Sequence, residues 1–139
     1  MTHEIRVLAP GDASVLDRVA DQVFDEAVNA AWAREFLADP RHHLVVAIDE
    51  DTVVGFASAV HYVHPDKAPQ LWINEVGVAP AYHRRGIGRA VLAAMLHRGR
   101  SLGCTEAWVL TEQDNTPARG LYQALGGAES ECIMYTISL

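Results

Sequence analysis

The stretch EVGVAPAYHRRGIGRAVLAAML, Glu75 to Leu96, changes character twice within 22 residues. It opens as a strand-like run, breaks at Pro80, and then crowds Arg84, Arg85 and Arg89 around Gly86, Ile87 and Gly88. Beyond Arg89, the residues Val91, Leu92, Met95 and Leu96 recur at helical spacing. The first turn of a helix leaves backbone N–H groups unpaired and carries partial positive charge, which suits an anion. Glycines remove the Cβ atoms that hold a phosphate away from those groups. Arginines add forked donors around the same spot. A Gly-x-Gly pair can also do no more than relieve a tight turn, but three flanking arginines favour a pyrophosphate cradle. A P-loop would need Gly-Lys-Ser/Thr, and the one lysine, Lys67, lies in a distant loop. A Rossmann turn would want a third small residue where Val91 stands.

Around this turn the chain is acidic. Its 139 residues are 50% hydrophobic and carry a net charge of −7, consistent with one domain, 1–139, and with no general nucleic-acid footprint. Arg84, Arg85, Arg89, Arg98 and Arg100 stand together without an intervening acid, so the remainder sums to −12. A basic patch on an acidic body suits an anionic ligand at the patch and a cationic one elsewhere. The opening residues look unlike a signal peptide, and no apolar run is long enough to span a bilayer, so a cytoplasmic protein with no membrane partner is expected. Cys104 and Cys132 are too few for a disulfide scaffold.

The pattern elsewhere predicts a strand at Ile5–Ala9 and a helix from Asp12, carried by Val15, Leu16, Val19, Val23 and Phe24 with Asp12 or Ser14 as its cap. A short helix at Ala30–Ala38 follows, then a hairpin turning at Asp49–Thr52 and a strand through Leu71–Ala79. A helix over Arg85–Leu102 ends at Gly103. The last expected elements are a strand at Glu106–Glu112, a helix at Thr116–Leu125 and a strand at Glu131–Leu139. Strands and helices in this order make a mixed α/β layout.

Two blocks carry a resemblance. VGVAPAYHRRGIGRAVL resembles the acyl-CoA-binding motif of the GNAT superfamily of N-acetyltransferases, and NTPARGLYQALGG (Asn115–Gly127) resembles that superfamily's second block, at the expected distance downstream. One departure is His83, which stands where Arg or Gln is usual. The resemblance implies an α/β (α+β) GNAT fold: a mixed, mostly antiparallel sheet of six to seven strands, flanked by about four helices and splayed at the cofactor strand. It implies acetyl-CoA as cofactor and direct attack by an amine, without an acyl-enzyme cysteine. It also implies a homodimer.

On that resemblance the cofactor residues are Val76, Gly77, Val78, His83, Arg84, Arg85, Gly86, Ile87, Gly88, Arg89, Asn115, Ala118 and Tyr122. Glu75, on the strand just before the cradle, is a candidate base for the amine, or an ion-paired strand residue. Tyr122 matches the family's general acid for the departing thiol, although Ala118, Leu121, Tyr122 and Leu125 also share one helical face and could simply be core. Asn115 reads both as a helix cap and as a partner of the cofactor arm. Gly77 is consistent with a bulge or close backbone approach.

The short chain, REFLADPRHH (Arg34–His43), the HYVHP loop (His61–Pro65) and the LY-x-x-x-GG ending (Leu121–Gly127) are further similar to aminoglycoside 3-N-acetyltransferases, enzymes of antibiotic resistance. Asn115-Thr116 stands where those have Asp-Asp, leaving Glu75 or Asp114 as base. Glu75, Glu112, Asp114, Asp66 and Glu26 are the acids available to a cationic acceptor. Another small amine or a protein amine is the rival acceptor, and a non-catalytic acyl-CoA-binding module is the rival class. No metal is expected: His42-His43 face opposite ways on a strand, and His61 and His64 lack a clear third ligand. All four histidines are expected to be exposed or partly buried.

Overall fold

The computed structural model describes residues 3–139. Five strands form one sheet in the order β1 (Glu4–Val7), β2 (His42–Asp49), β3 (Thr52–Tyr62), β4 (Gln70–Val78), β5 (Ala107–Val109). The first four pair antiparallel, and β4 with β5 is parallel. The hairpin turns where expected, because Glu50 and Asp51 both take the positive φ that a two-residue turn requires.

Alternation along the strands gives the sheet two apolar faces. Val45, Ala47, Ala57, Ala59, Leu71 and Ile73 pack against α2 (Ile87–Ser101), whose Ile87, Val91, Leu92 and Met95 are buried. Burying each of these helix side chains stabilises the fold by about 1.5–3 kcal/mol. On the other face Leu44, Val46, Val53 and Phe56 meet Leu8, Leu16, Val23 and Leu37 from the first third of the chain. α1 (Ala30–Ala38) begins where Asn29 accepts a hydrogen bond from the Trp32 amide at 3.0 Å. α3 (Thr116–Ala124) lies on the α2 side, with Leu121, Tyr122 and Leu125 partly buried against that core.

Three expectations need correction. The helix expected from Asp12 is a 3-10 segment, Pro10–Asp17, and residues 18–29 are not helical. The apolar spacing is real, since Leu16 and Val23 are buried. The backbone, however, spends its hydrogen bonds on β3: Val53 N–H donates to Arg18 O and Ala20 N–H to Val53 O, both at 2.9 Å. Asp12 caps backwards, its Oδ2 accepting from the Ala9 amide at 2.8 Å. The strand expected over Glu106–Glu112 keeps only Ala107–Val109, because its partner β4 diverges beyond Ile73. Residues 131–139 form no strand, so among the described residues the sheet has five strands rather than six or seven. Three α-helices and two 3-10 segments flank it among the described residues. No helix of the described residues is long and apolar enough to cross a membrane.

Candidate functional site

The site is built on β4. Its register against β3 jumps from Ile73–Ala59 to Glu75–Ser58, so Asn74 is an extra, bulged residue. On the other side β4 pairs with β5 only through Leu71, Trp72 and Ile73. From the bulge onward, Glu75–Val78 has no strand on that edge among the described residues, and the sheet is split there. Val76 and Val78 turn their side chains to the α2 core, which leaves their backbone at the edge of the split. Gly77 is not the bulge. A Cβ there would stand 2.5 Å from the Val23 carbonyl oxygen and 2.8 Å from Phe56 Cε1, so glycine is required by a backbone crossing it.

The split runs into the basic turn. Pro80–Tyr82 makes a short 3-10 segment, and the Tyr82 hydroxyl donates to Asp49 Oδ2 at 2.6 Å, tying the turn to the β2–β3 hairpin. His83 Nε2 lies 2.9 Å from Val78 O, which fixes His83 against the end of β4. Arg84 and Gly86 both have positive φ, 63° and 78°. A non-glycine residue in that region is held there by its surroundings, and alternating backbone of this kind turns successive N–H groups toward one concavity. Ile87, 1% exposed, anchors the start of α2 beneath the turn, fitting the space Gly55 leaves by lacking a Cβ. Arg84, Arg85 and Arg89 are exposed around the helix mouth, with the Arg85 guanidinium 4.9 Å above the Tyr82 ring. A Cβ on Gly88 would fill the space between Val78 and Leu121, at 3.6 and 3.7 Å. A cradle with two glycines, unpaired helix N–H groups and surrounding arginines fits the pyrophosphate of an acyl-CoA. Arg98 and Arg100 sit at the far end of α2, about 20 Å along the axis, so the basic run in the sequence divides into two places.

Glu75 lies on the face opposite α2, across from Ser58. Its carboxyl is raised above its ordinary value, first by partial desolvation and then by the charge of Asp25. The sequence reading missed Asp25. It sits in irregular chain, and only tertiary packing brings it over: Val23 is buried across Gly77, and the Phe24 ring packs 4.2 Å from Phe56. Trp72 and Trp108 are also new, stacked at 4.9 Å across the β4–β5 pair beside this carboxylate face. Glu26 is exposed in the Asp25 segment, and Asp66 is paired with Lys67 at 3.7 Å.

Tyr122 approaches from the α2 side. It is half-buried and lines a trough of about 240 Å³ with Leu71, Ile73 and Val109. Burial raises its phenol, which therefore stays protonated at neutral pH, and its hydroxyl has no hydrogen-bond partner among the described residues. Asn115 caps α3, its Oδ1 accepting from the Ala118 amide at 3.2 Å, so that oxygen is already engaged. Glu112 and Asp114 are exposed in the loop before the cap, where their carbonyls accept from Asn115 and Thr116 N–H. Of the four histidines, His43 departs from expectation: it is 4% exposed, its Nε2 lies 2.7 Å from His61 Nδ1, and burial pushes it down to about 4. Cys104 is buried in the core and Cys132 is exposed, both free.

Residues 13–127 match the acetyltransferase (GNAT) family, and the chain belongs to that family. It is 35% identical over 94 residues to a mycothiol acetyltransferase of Saccharopolyspora erythraea, covering 66% of this chain and 29% of that protein. It is 30% identical over 94 residues to the aminoglycoside N(6')-acetyltransferase type 1 of Salmonella typhimurium, covering 65% of each. The chain thus spans less than two thirds of the length of either relative. Against the N-alpha-acetyltransferase RimI of Mycobacterium tuberculosis the identity is 34% over 125 residues, 88% of this chain and 76% of that one. In fold, the chain superposes on AAC(6')-Iy in complex with the bisubstrate analog CoA-S-monomethyl-acetylneamine, with a TM-score of 0.82 over 100% of this chain and 99% of that chain at 23% identity. These aminoglycoside relatives are of the N(6') kind, not the 3-N kind to which the sequence motifs are similar.

Proposed function

We propose that this chain is an acetyl-CoA-dependent N-acetyltransferase acting on a primary amine of a small polycationic acceptor, with aminoglycosides the first class to test. One observation carries the reading. The unpaired edge of β4 leads directly into the Arg84–Arg89 cradle, with a carboxylate on one face of the sheet and a phenol on the other.

Acetyl-CoA supplies an activated acyl group on a thiol leaving group. Backbone N–H groups at Gly86–Arg89 and the guanidinia of Arg84, Arg85 and Arg89 hold its phosphates, and His83 supports the end of β4. Main-chain groups of Val76 and Val78 line the carbonyl's place and donate to its oxygen. Glu75, raised by its setting, takes the proton of the incoming ammonium directly or through water. Tyr122 gives its proton to the departing sulfur from the opposite side. Asp25 and Glu75 together draw a cation to the acceptor face, while the Trp72–Trp108 pair offers a flat apolar wall beside them. Asn115 and Ala118 fix the helix that carries Tyr122. Glu112 and Asp114 remain further contacts for a cationic acceptor.

A thiol-release screen with acetyl-CoA tests this against aminoglycosides, polyamines, amino acids and peptides with free N-termini. Release with aminoglycosides, with an acetyl group found on one amine, supports the reading. Release only with peptides moves the acceptor to the protein N-terminus, the rival favoured by the RimI relative. Acetyl-CoA binding without release for any amine makes the chain a binding module. A cytoplasmic setting and a homodimer belong to the same proposal.

A further inference from the structure

The β2–β3 hairpin carries Asp49 at the end of β2, where the residue is half-buried. The Tyr82 hydroxyl reaches it across 33 residues of sequence, donating to Oδ2 at 2.6 Å. The Tyr82 side chain itself packs against both apolar cores, one on each face of the sheet. Arg85 Cζ stands 4.9 Å from the centroid of the Tyr82 ring. A chain of contacts thus runs from a hairpin carboxylate, through a phenol, to one arginine of the cradle. Among the described residues, Arg84 and Arg89 meet no aromatic ring.

The backbone of this turn is held without the Asp49 bond. Ala79 N–H donates to Val54 O at 2.8 Å, Tyr82 N–H to Ala79 O at 2.8 Å, and His83 N–H to Pro80 O at 3.2 Å. His83 Nε2 adds its contact with Val78 O at 2.9 Å. What the hydroxyl bond adds is orientation of the ring. An O–H···O⁻ bond to a carboxylate is short and strong, and it draws negative charge toward the phenol, which makes the ring a better seat for a cation. The phenol stays protonated at neutral pH. Its titration is raised above the ordinary value, first by the hydrogen bond to Asp49 and then by desolvation and the Asp49 charge, while Arg85 pulls the other way.

An exposed arginine loses rotamer freedom when a phosphate takes it up, and this loss subtracts from affinity. A guanidinium already seated on a ring has less to lose. Its N–H donors lie in its own plane, so contact through the face does not compete with a forked contact to phosphate.

We propose that Asp49 and Tyr82 are positioning residues for acetyl-CoA: together they set the Arg85 guanidinium for the cofactor's phosphates, so that the β2–β3 hairpin governs cofactor affinity. The inference rests on the reading of the Arg84–Arg89 turn as an acetyl-CoA cradle, and it is independent of which amine is acetylated. Asp49 and Tyr82 act through Arg85 and take no part in the acyl transfer itself.

Calorimetry with acetyl-CoA reads the effect without an acceptor. Tyr82→Leu removes the ring and should weaken acetyl-CoA about two- to fivefold, the worth of one exposed cation–ring contact. Asp49→Ala should act in the same direction, whereas Asp49→Asn, whose amide oxygen still accepts from the hydroxyl, should retain most of the affinity. In an Arg85→Ala background, neither Tyr82→Leu nor Asp49→Ala should have a further effect. If Tyr82→Leu does not fold, Tyr82→Phe takes its place, losing as much as Asp49→Ala and no more when the two are combined. An NMR readout needs no ligand: the Arg85 Nε–H proton should lie upfield under the Tyr82 ring current and return toward its ordinary position in Asp49→Ala. Losses that persist undiminished in the Arg85→Ala background would show that the bond merely holds the turn, and would overturn the proposal. Wild-type affinity in the Tyr82 and Asp49 variants, or an unmoved Arg85 resonance, would overturn it as well. A wild-type chain that does not bind acetyl-CoA would overturn the cradle reading itself, and this proposal with it.

Discussion

Replacing Gly77 with alanine tests how the acceptor face is held together. The new Cβ would lie 2.5 Å from the Val23 carbonyl oxygen and 2.8 Å from Phe56 Cε1. An ordinary contact begins near 3.4 Å, so one neighbour must retreat by roughly 1 Å, and neither can do so freely. Val23 is 4% exposed, Phe56 is 2% exposed, and the Phe24 ring is packed on Phe56. Overpacking of this kind costs about 1–3 kcal/mol. For a chain of this length that lowers the melting temperature by about 3–12 °C. Because Asp25 follows Val23 by two residues, the same push moves its charge away from Glu75. A melt followed by circular dichroism reads the first effect, and the acid limb of the activity profile reads the second. Gly120→Ala is the control. It lies within α3, nothing stands within 4 Å of the added atom, and a gain of about 0.5–1 kcal/mol is expected from helix propensity. A Gly77→Ala protein melting within about 1 °C of wild type would refute the reasoning, since the overlap would then cost far less than overpacking should.

Other consequences follow from the same geometry. Tyr122→Phe should lower turnover about 10²-fold while acetyl-CoA affinity stays within a few-fold, and an unchanged kcat with chemistry rate-limiting would return Tyr122 to the core. Arg84→Ala and Arg89→Ala should each weaken acetyl-CoA by about 1.5–3 kcal/mol per lost charged hydrogen bond, read by calorimetry. Asp25→Asn removes a like charge from beside Glu75. The Glu75 carboxyl should then ionise at lower pH, and the acid limb of kcat/KM should move down. An unmoved limb would show that Asp25 does not act on the base. His43 is held neutral by burial, its titration lowered from the ordinary 6.5 to about 4. Between those values the unfolded chain binds more protons, so stability should be complete above 6.5 and fall as pH drops toward 4, a slope that His43→Leu should flatten in urea titrations.

What the sequence made legible follows from how local each signal is. The cradle could be read because its glycines and arginines sit within the seven residues His83–Arg89 and the helical spacing of Val91, Leu92, Met95 and Leu96 follows directly. The Asp49–Thr52 hairpin and the Ala30–Ala38 helix were legible for the same reason. The helix expected from Asp12 was not, because its apolar spacing describes which residues are buried and not which groups their backbone bonds. Val53 takes those bonds, and it is more than 30 residues away. Glu75 stood out by its place before the cradle, whereas Asp25 reached it only through the crossing of Val23 over Gly77. The alternation in Glu131–Leu139 announced a strand, but a strand's partner is not encoded in its own pattern.

The central claim is that acetyl-CoA lies in the split beside β4 with its phosphates at the mouth of α2. Titrating acetyl-CoA into isotope-labelled protein, with backbone amides followed by NMR, tests it most directly. Saturable shifts should concentrate at Val76, Val78 and the Gly86–Arg89 amides, and fade when Arg84 and Arg89 are both alanine. Shifts that do not saturate, or that saturate elsewhere while these amides stay still, would contradict the account.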